Sequence, residues 1–290
     1  MTVSVIILII GLCLTVWQGY ALHLQEPRIK LTADAATTAA YLIVTVSFTL
    51  LWLCHQRFGQ TLTSVILFTV VMIMTLLLVV LTETRSAVLT TPILFFIYFI
   101  VKFRRVDKKI KNTFLVLCLA GVVITPWVIQ NRIKEISHDI SEYHNNNDTS
   151  IGARFSIWQS GWYSVTPSVL GQSPDDRTRK AREYIEKFTR YNPEAYKNVM
   201  YNLHNEALEV LSLQGILGLL SLMLFFLTSV LYGFFGIRGN SNGVFFVVVP
   251  IIIMGLTDSV LIQGNTVLVV CMALSLCQLR LSKTEPAAMT

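Results

Sequence analysis

Eight apolar runs, each close to the length that crosses a bilayer, constrain the fold of this chain more than any other feature. A helix needs about 20 mostly apolar residues to cross the hydrocarbon core of a membrane. One long polar stretch, residues 131–205, separates five runs from the last three. We therefore predict an all-α membrane protein with about eight transmembrane helices. The runs cover residues 3–22, 37–54, 62–81, 87–101, 113–130, 207–235, 244–257 and 265–280. Of these, 87–101 is short, 207–235 is long enough to tilt or protrude, and 244–280 could divide differently around Asp258.

The composition agrees with a membrane location. Only 14% of the 290 residues are charged, whereas about a quarter are charged in soluble domains. The net charge of +6 is small for a nucleic-acid-binding protein, so no nucleic-acid partner is expected. The five cysteines lie in or beside apolar runs without metal-ligand spacing, so we predict neither a disulfide framework nor a metal site. The run 3–22 has no preceding basic residues and no clear cleavage site, which favours a true span over a signal peptide.

A basic loop determines the predicted orientation. Residues 102–111 hold six Lys or Arg in ten positions, and short basic loops stay on the cytoplasmic side. Counting spans from there puts the connection 23–36, the turn 82–86, the loop 131–205 and the turn around Asp258 on the opposite face. We predict three parts: five spans in residues 1–130, a large loop in 131–205 and three spans in 206–290. The same count places four more basic residues on the cytoplasmic side: Arg57, Arg238, Arg280 and Lys283.

The large loop is predicted to be partly helical. Ser173 is a good N-cap, and Pro174 suits the first position of a helix that follows it. This helix has an apolar stripe, which either lies on the membrane or packs within the loop. The stripe consists of Ala181, Tyr184, Ile185 and Phe188. A second helix is predicted over Ala153–Tyr163, and its tryptophans suit a membrane–water interface.

Four polar residues fall on the face opposite the basic loop: Arg85, Arg154, His204 and Asp258. Each has an ordinary structural explanation. Arg85 could reach lipid headgroups, and Arg154 could pair with an acid such as Asp148. Asn205 could cap the next helix and leave His204 solvated, and Asp258 could cap the last span.

Taken together, the four residues indicate chemistry on a phosphorylated lipid. Two arginines can grip a pyrophosphate through bidentate hydrogen bonds and stabilise charge on a leaving pyrophosphate. A histidine can take the proton of an attacking hydroxyl. The chain has no nucleotide-binding or zinc-binding motif, which disfavours nucleotide-driven and zinc chemistry. The set predicts group transfer from a lipid pyrophosphate at the outer membrane face.

Four short segments of the chain resemble the O-antigen ligases of Gram-negative bacteria, within the wider O-antigen ligase and polymerase family. Their order and the long loop between spans also match, and the likeness extends along nearly the whole chain. The segments are Leu81–Ser86, Ile151–Arg154, Leu203–Leu220 and Gly255–Ser259.

The resemblance implies a metal-independent, inverting glycosyltransferase of the GT-C type, without a cofactor, in the bacterial inner membrane. It would move O-antigen from undecaprenyl pyrophosphate to a sugar hydroxyl of lipid A–core, on the periplasmic side. Carried over by motif, Arg85 and Arg154 would hold the pyrophosphate. His204 would be the general base or orient the acceptor, and Asp258 would position an arginine or the acceptor.

Two alternatives to the ligase remain at this point: an O-antigen polymerase of the same family, and a transporter or flippase of lipid-linked sugars. One departure from the family also bears on activity. Family members usually carry about four further N-terminal spans. We therefore expect a truncated or mis-started reading frame, which would be inactive if the missing spans complete the lipid groove. An in-frame upstream region encoding apolar spans would support this expectation.

Overall fold

In the computed structural model, helices are the regular secondary structure of the described residues, and turns and loops connect them. The described residues are 2–26, 28–31, 33, 35–112, 149–189, 192–235 and 242–278, with the single positions 114, 134, 137, 138 and 141. The helices are α1 Thr2–His23, α2 Ala36–Phe58, α3 Leu62–Leu81, α4 Arg85–Lys102, α5 Ser150–Ser164, α6 Pro174–Phe188, α7 Pro193–Asn198, α8 Glu206–Phe235, α9 Asn242–Gly255 and α10 Gly264–Gln278.

Five of these helices are long and apolar enough to cross a membrane: α1, α2, α3, α4 and α8. They coincide with five of the eight predicted runs. The helices α9 and α10 have 14 and 15 residues, so crossing by the predicted runs 244–257 and 265–280 stays a prediction. The predicted run 113–130 lies outside the described residues, except for Phe114.

The chain forms two compact units. The first comprises residues 1–94, 227–250 and 264–290. Within it α2 packs against α1, α3 and α10, and 83% of its apolar window is buried. Large side chains fill this core, including Phe48, which stacks on Phe246 at 5.7 Å between ring centroids. The corresponding window of α1 is only 17% buried, as expected for a helix whose apolar surface faces lipid.

The second unit comprises residues 95–226 and 251–263, and its small core joins α5, α6 and α7 to the start of α8. Buried apolar side chains from these helices and from Leu203 form the core: Ala153, Ile157, Ala181, Ile185, Ala195, Val199 and Leu203. Full burial of a side chain such as Ile or Leu contributes about 1.5–3 kcal/mol. Half of the predicted stripe on α6 is therefore a packing face, whereas Phe188 stays 63% exposed.

The sequence signals for the loop helices are confirmed. The Oγ of Ser173 accepts the N–H of Asp176 at 3.2 Å, with Pro174 in the first turn of α6. Thr149 caps α5 by accepting the N–H of Gly152. The two tryptophans of α5 differ in their surroundings: Trp162 is 70% exposed, whereas Trp158 packs against the core of the second unit.

The long helix α8 is interrupted. Gly215 has φ 67° and ψ −161°, which no α-helix contains. α8 therefore consists of a short helix, residues 206–214, and a longer one, residues 216–235. The first part carries two buried carboxylates, Glu206 and Glu209.

Candidate active site

His204 sits at the entrance to α8 in an unusual backbone conformation. Its φ is +49°, a left-handed value that is uncommon outside glycine. Hydrogen bonds hold the backbone on both sides. The Oδ1 of Asn202 accepts the His204 N–H at 2.9 Å, and the indole N–H of Trp158 donates to the His204 carbonyl at 3.1 Å. Such over-determined strain is common where a side chain must be aimed.

The imidazole of His204 meets the carboxylate of Asp258. The two atoms, Nδ1 and Oδ1, are 3.1 Å apart, and the side chains are 26% and 8% exposed. The same Oδ1 accepts the N–H of Ser259 at 2.9 Å. Because a carboxylate only accepts, this contact favours the neutral tautomer that carries its proton on Nδ1, in which Nε2 is the lone-pair acceptor. The pair therefore has the form of an oriented general base.

Two further side chains join the segments that carry this pair, through three hydrogen bonds. The Nδ2 of Asn205 donates to the carbonyl of Leu256 at 3.0 Å. The Oε2 of Glu206 accepts the backbone N–H groups of Val260 and Leu261, the latter at 2.8 Å. These hydrogen bonds involve Leu256, which precedes Asp258 in the chain, and Val260 and Leu261, which follow it. They therefore help to hold Asp258 near His204, in addition to the hydrogen bond between the two side chains.

Asn205 caps α8, as one interpretation of the sequence expects. Its Oδ1 accepts the N–H of Leu208 at 3.0 Å. That interpretation also left His204 as a solvated loop residue, and the structure differs because the imidazole is bound to Asp258. Asp258 lies six residues before α10 begins, which is too far to cap the first turn of that helix. Its carboxylate contacts the imidazole of His204 instead.

A buried ion pair helps to hold the backbone just before His204. The Nη1 of Arg177 in α6 lies 3.6 Å from Oε2 of Glu209, and the side chains are 2% and 3% exposed. The same Oε2 accepts the N–H of Leu203 at 2.6 Å. Burial lowers the pKa of the Arg177 guanidinium from its ordinary value, and the Glu209 carboxylate opposes that shift. Arg177 thus fixes the carboxylate that holds the residue before His204.

The two predicted arginines occupy different units. Arg154 is half-buried in α5, one turn before Trp158 and on the same helix face. Since Trp158 binds the carbonyl of His204, Arg154 lies one helical turn from a direct contact of the histidine. Arg85 is the half-buried first residue of α4 in the other unit, so its approach to the other three stays a prediction.

No group of three or more His, Cys, Asp or Glu side chains that could hold a metal ion occurs among the described residues. The candidate site in the second unit comprises the imidazole of His204, the carboxylate of Asp258 and the nearby Arg154, and the carboxylates of Glu206 and Glu209 accept backbone N–H groups around it.

Comparison with known proteins decides the family. Residues 70–223, just over half of the chain, match the family model Wzy_C, O-Antigen ligase. The chain belongs to this O-antigen ligase family. The match includes Arg85, Arg154 and His204 and ends before Asp258.

Two relatives extend the likeness beyond the family match. The chain is 27% identical to the O-antigen ligase of Escherichia coli strain K12 over 89% of its own length and 62% of the relative. It is 25% identical to an uncharacterized protein of Haemophilus influenzae over 76% of its own length and 56% of the relative. This member of the O-antigen ligase family thus spans about three-fifths of the curated relatives that it matches.

The structure adds three supporting residues for which the sequence suggested no role: Arg177, Glu206 and Glu209. A signal for each was present. Arg177 lies four residues before Ala181 and eight before Ile185, in register with the apolar stripe of α6. Glu206 and Glu209 open an otherwise apolar run with i, i+3 spacing, and charges in such runs usually have a partner.

Proposed function

We propose that this chain is an O-antigen ligase, which transfers O-antigen polysaccharide from undecaprenyl pyrophosphate to a sugar hydroxyl of lipid A–core. In this proposal the reaction takes place on the periplasmic side of the bacterial inner membrane. The observation that carries the proposal is the 3.1 Å contact of His204 Nδ1 with Asp258 Oδ1, in a chain of the O-antigen ligase family.

The proposed reaction is a single displacement that needs no metal. The acceptor hydroxyl attacks the anomeric carbon of the donor, and a new glycosidic C–O bond forms there. The bond between that carbon and the phosphate oxygen breaks, and undecaprenyl pyrophosphate leaves with both bonding electrons. The hydroxyl proton passes to Nε2 of His204, and Asp258 stabilises the resulting imidazolium. Attack opposite the leaving group inverts the anomeric centre.

Arg85 and Arg154 are assigned to the leaving group. A guanidinium presents several N–H donors in a plane and grips phosphate oxygens bidentately, where an ammonium supplies only a point charge. Such donors act most strongly when the pyrophosphate departs and its negative charge grows. Arg154 suits this role because α5, which carries it, also supplies the Trp158 contact to His204.

The decisive experiment is transfer in detergent with purified chain, a polyprenyl-pyrophosphate-linked glycan and purified lipid A–core. We expect glycan on lipid A–core without added metal or nucleotide. A second reaction offers another lipid-linked repeat as acceptor. Transfer only to that acceptor would identify a polymerase, and no transfer to either acceptor would contradict the proposal.

The arginine roles are tested by Arg85→Lys and Arg154→Lys, with Arg179→Lys as the matched control. Arg179 has a 58% exposed side chain on α6 and forms surface ion pairs with Asp176 and Glu183. We expect transfer to fall strongly in the first two variants while membrane insertion is retained. Parental rates for both would reduce these arginines to topological or structural residues.

A further inference from the structure

The interruption of α8 at Gly215 is stabilised by hydrogen bonds to another segment of the chain, and we call this interruption the joint. Breaking a helix leaves backbone groups without their usual partners, and residues 168–172 supply replacements. The N–H of Gln172 donates to the carbonyl of Leu213 at 3.2 Å. The N–H groups of Ile216 and Leu217 donate to the carbonyls of Ser168 and Val169 at 3.4 and 3.3 Å. We call residues 168–172 the docking segment.

Two glycines make this close approach of two backbones possible. Gly171 and Gly215 both have left-handed φ values, +82° and +67°. A Cβ at Gly171 would lie 2.1 Å from the carbonyl oxygen of Leu213, and one at Gly215 would lie 2.5 Å from the backbone nitrogen of Gly171. The docking segment is also held by Gln172, whose Nε2 donates to the carbonyls of Ser164 and Ser212.

The chemistry of α8 changes at this joint. Before it, Glu206, Glu209 and Ser212 are buried and polar. After it, residues 216–235 contain no charged residue, and Ile216 and Leu217 are each 51% exposed. Twenty residues at about 1.5 Å rise give a helix of about 30 Å, the thickness of a hydrocarbon core. The lipid-facing part of α8 therefore begins at the joint.

The docking segment presents apolar side chains at this same level. Val169 is 58% exposed. Leu170 is 80% exposed, which is more than any other large apolar side chain among the described residues. The hydrogen bond from Leu217 to Val169 places them beside the first residues of the span. No charged residue occurs from Ser164 to Ser173, so nothing in the segment opposes contact with lipid.

We propose that the docking segment is a membrane-surface anchor that inserts Val169 and Leu170 into the acyl-chain boundary of the bilayer around α8. The occupant of this apolar surface is lipid, because the surface continues the lipid-facing side of a membrane-spanning helix. The anchor ties the second unit to the bilayer at a fixed depth, since the joint couples it to the start of the span. This inference is independent of the reaction proposed above.

The test uses the full chain in vesicles of phosphatidylethanolamine and phosphatidylglycerol. An environment-sensitive fluorescent amino acid replaces Leu170 in one sample. The matched control carries it at Glu186, an exposed residue of α6. We expect nitroxide-labelled acyl chains to quench position 170 and aqueous iodide to spare it, with the reverse at position 186.

Two outcomes would overturn the anchor. Iodide quenching at position 170 equal to that at position 186 would show that the segment lies in water. Protection of position 170 from both quenchers would show that protein, such as a second copy of the chain, covers it instead of lipid.

Discussion

The carboxylate of Glu206 receives the N–H of Leu261 at 2.8 Å, although 55 residues separate the two positions. The same oxygen also accepts the N–H of Val260. Glu206 is 4% exposed. Its buried carboxylate, at the start of α8, therefore accepts two backbone N–H groups of the turn that follows α9. The turn that carries Asp258 is thereby attached to the segment that carries His204.

This attachment predicts a specific loss of stability in Glu206→Leu. The substitution removes the acceptor of one buried and one part-buried N–H group, and an unsatisfied buried group costs about 1–3 kcal/mol. Glu206→Gln retains an acceptor oxygen and should lose less. Unfolding in mixed detergent micelles measures both, with Glu186→Leu at an exposed position of α6 as the control. Equal stability of the Leu and Gln variants would argue against the brace.

Asp258→Asn tests the orientation of the imidazole. An amide can donate a hydrogen bond to Nδ1, which favours the tautomer with the proton on Nε2 and removes the base. We expect transfer to fall by about 10²–10⁴-fold, the usual range for general acid–base catalysis, with little change in stability. Asp175→Asn on the exposed side of α6 is the control. A parental rate for Asp258→Asn would mean that the contact is structural.

Trp158→Phe tests one hydrogen bond to the backbone of His204. The substitution keeps an aromatic ring but removes the N–H donor to the His204 carbonyl, together with part of the indole ring system. A neutral hydrogen bond contributes about 0.5–1.5 kcal/mol, so transfer should fall by up to roughly tenfold. Trp162→Phe is the matched control, because Trp162 is in the same helix and is 70% exposed. The prediction fails if both variants transfer at the same rate.

The buried pair of Arg177 and Glu209 predicts strong coupling between two substitutions. Arg177→Met alone leaves a buried carboxylate without its cation and should cost about 3–5 kcal/mol of unfolding free energy. Adding Glu209→Gln neutralises that carboxylate and keeps an acceptor for the Leu203 N–H. The double variant should therefore be more stable than the sum of the two single losses allows. Strict additivity in a double-mutant cycle would show that the pair does not interact.

Local rules predicted much of the helical structure from sequence. The predicted cap at Ser173 defines the start of α6, because capping depends on neighbouring residues alone, whereas the Thr149 cap starts α5 three residues before the predicted helix Ala153–Tyr163. The interruption at Gly215 was not predictable, since a glycine in an apolar run is common in membrane helices. The interruption is explained only by its hydrogen bonds to the backbone of a segment more than forty residues away in the sequence.

The candidate site was predicted as residues on one face of the membrane, and the contacts between them were not. Charge counting assigns His204 and Asp258 to the same side, yet hydrogen bonding between residues 54 positions apart depends on how the helices between them pack. The role of Arg177 was not predictable from sequence, because most charged side chains of α6 are exposed. The Arg177 side chain is instead buried against Glu209.

The pairing of positions 204 and 258 also sets when the site comes into existence during protein synthesis. The helices α8 and α9 lie between the two residues, so both are made before Asp258 leaves the ribosome. A nascent chain that ends at residue 235 already contains the five span-length helices but lacks the carboxylate that orients His204. Such a chain can enter the membrane while the imidazole of His204 still lacks the carboxylate that orients it. For the proposed reaction, we therefore expect premature termination anywhere in α9 to yield a protein that inserts but does not transfer glycan.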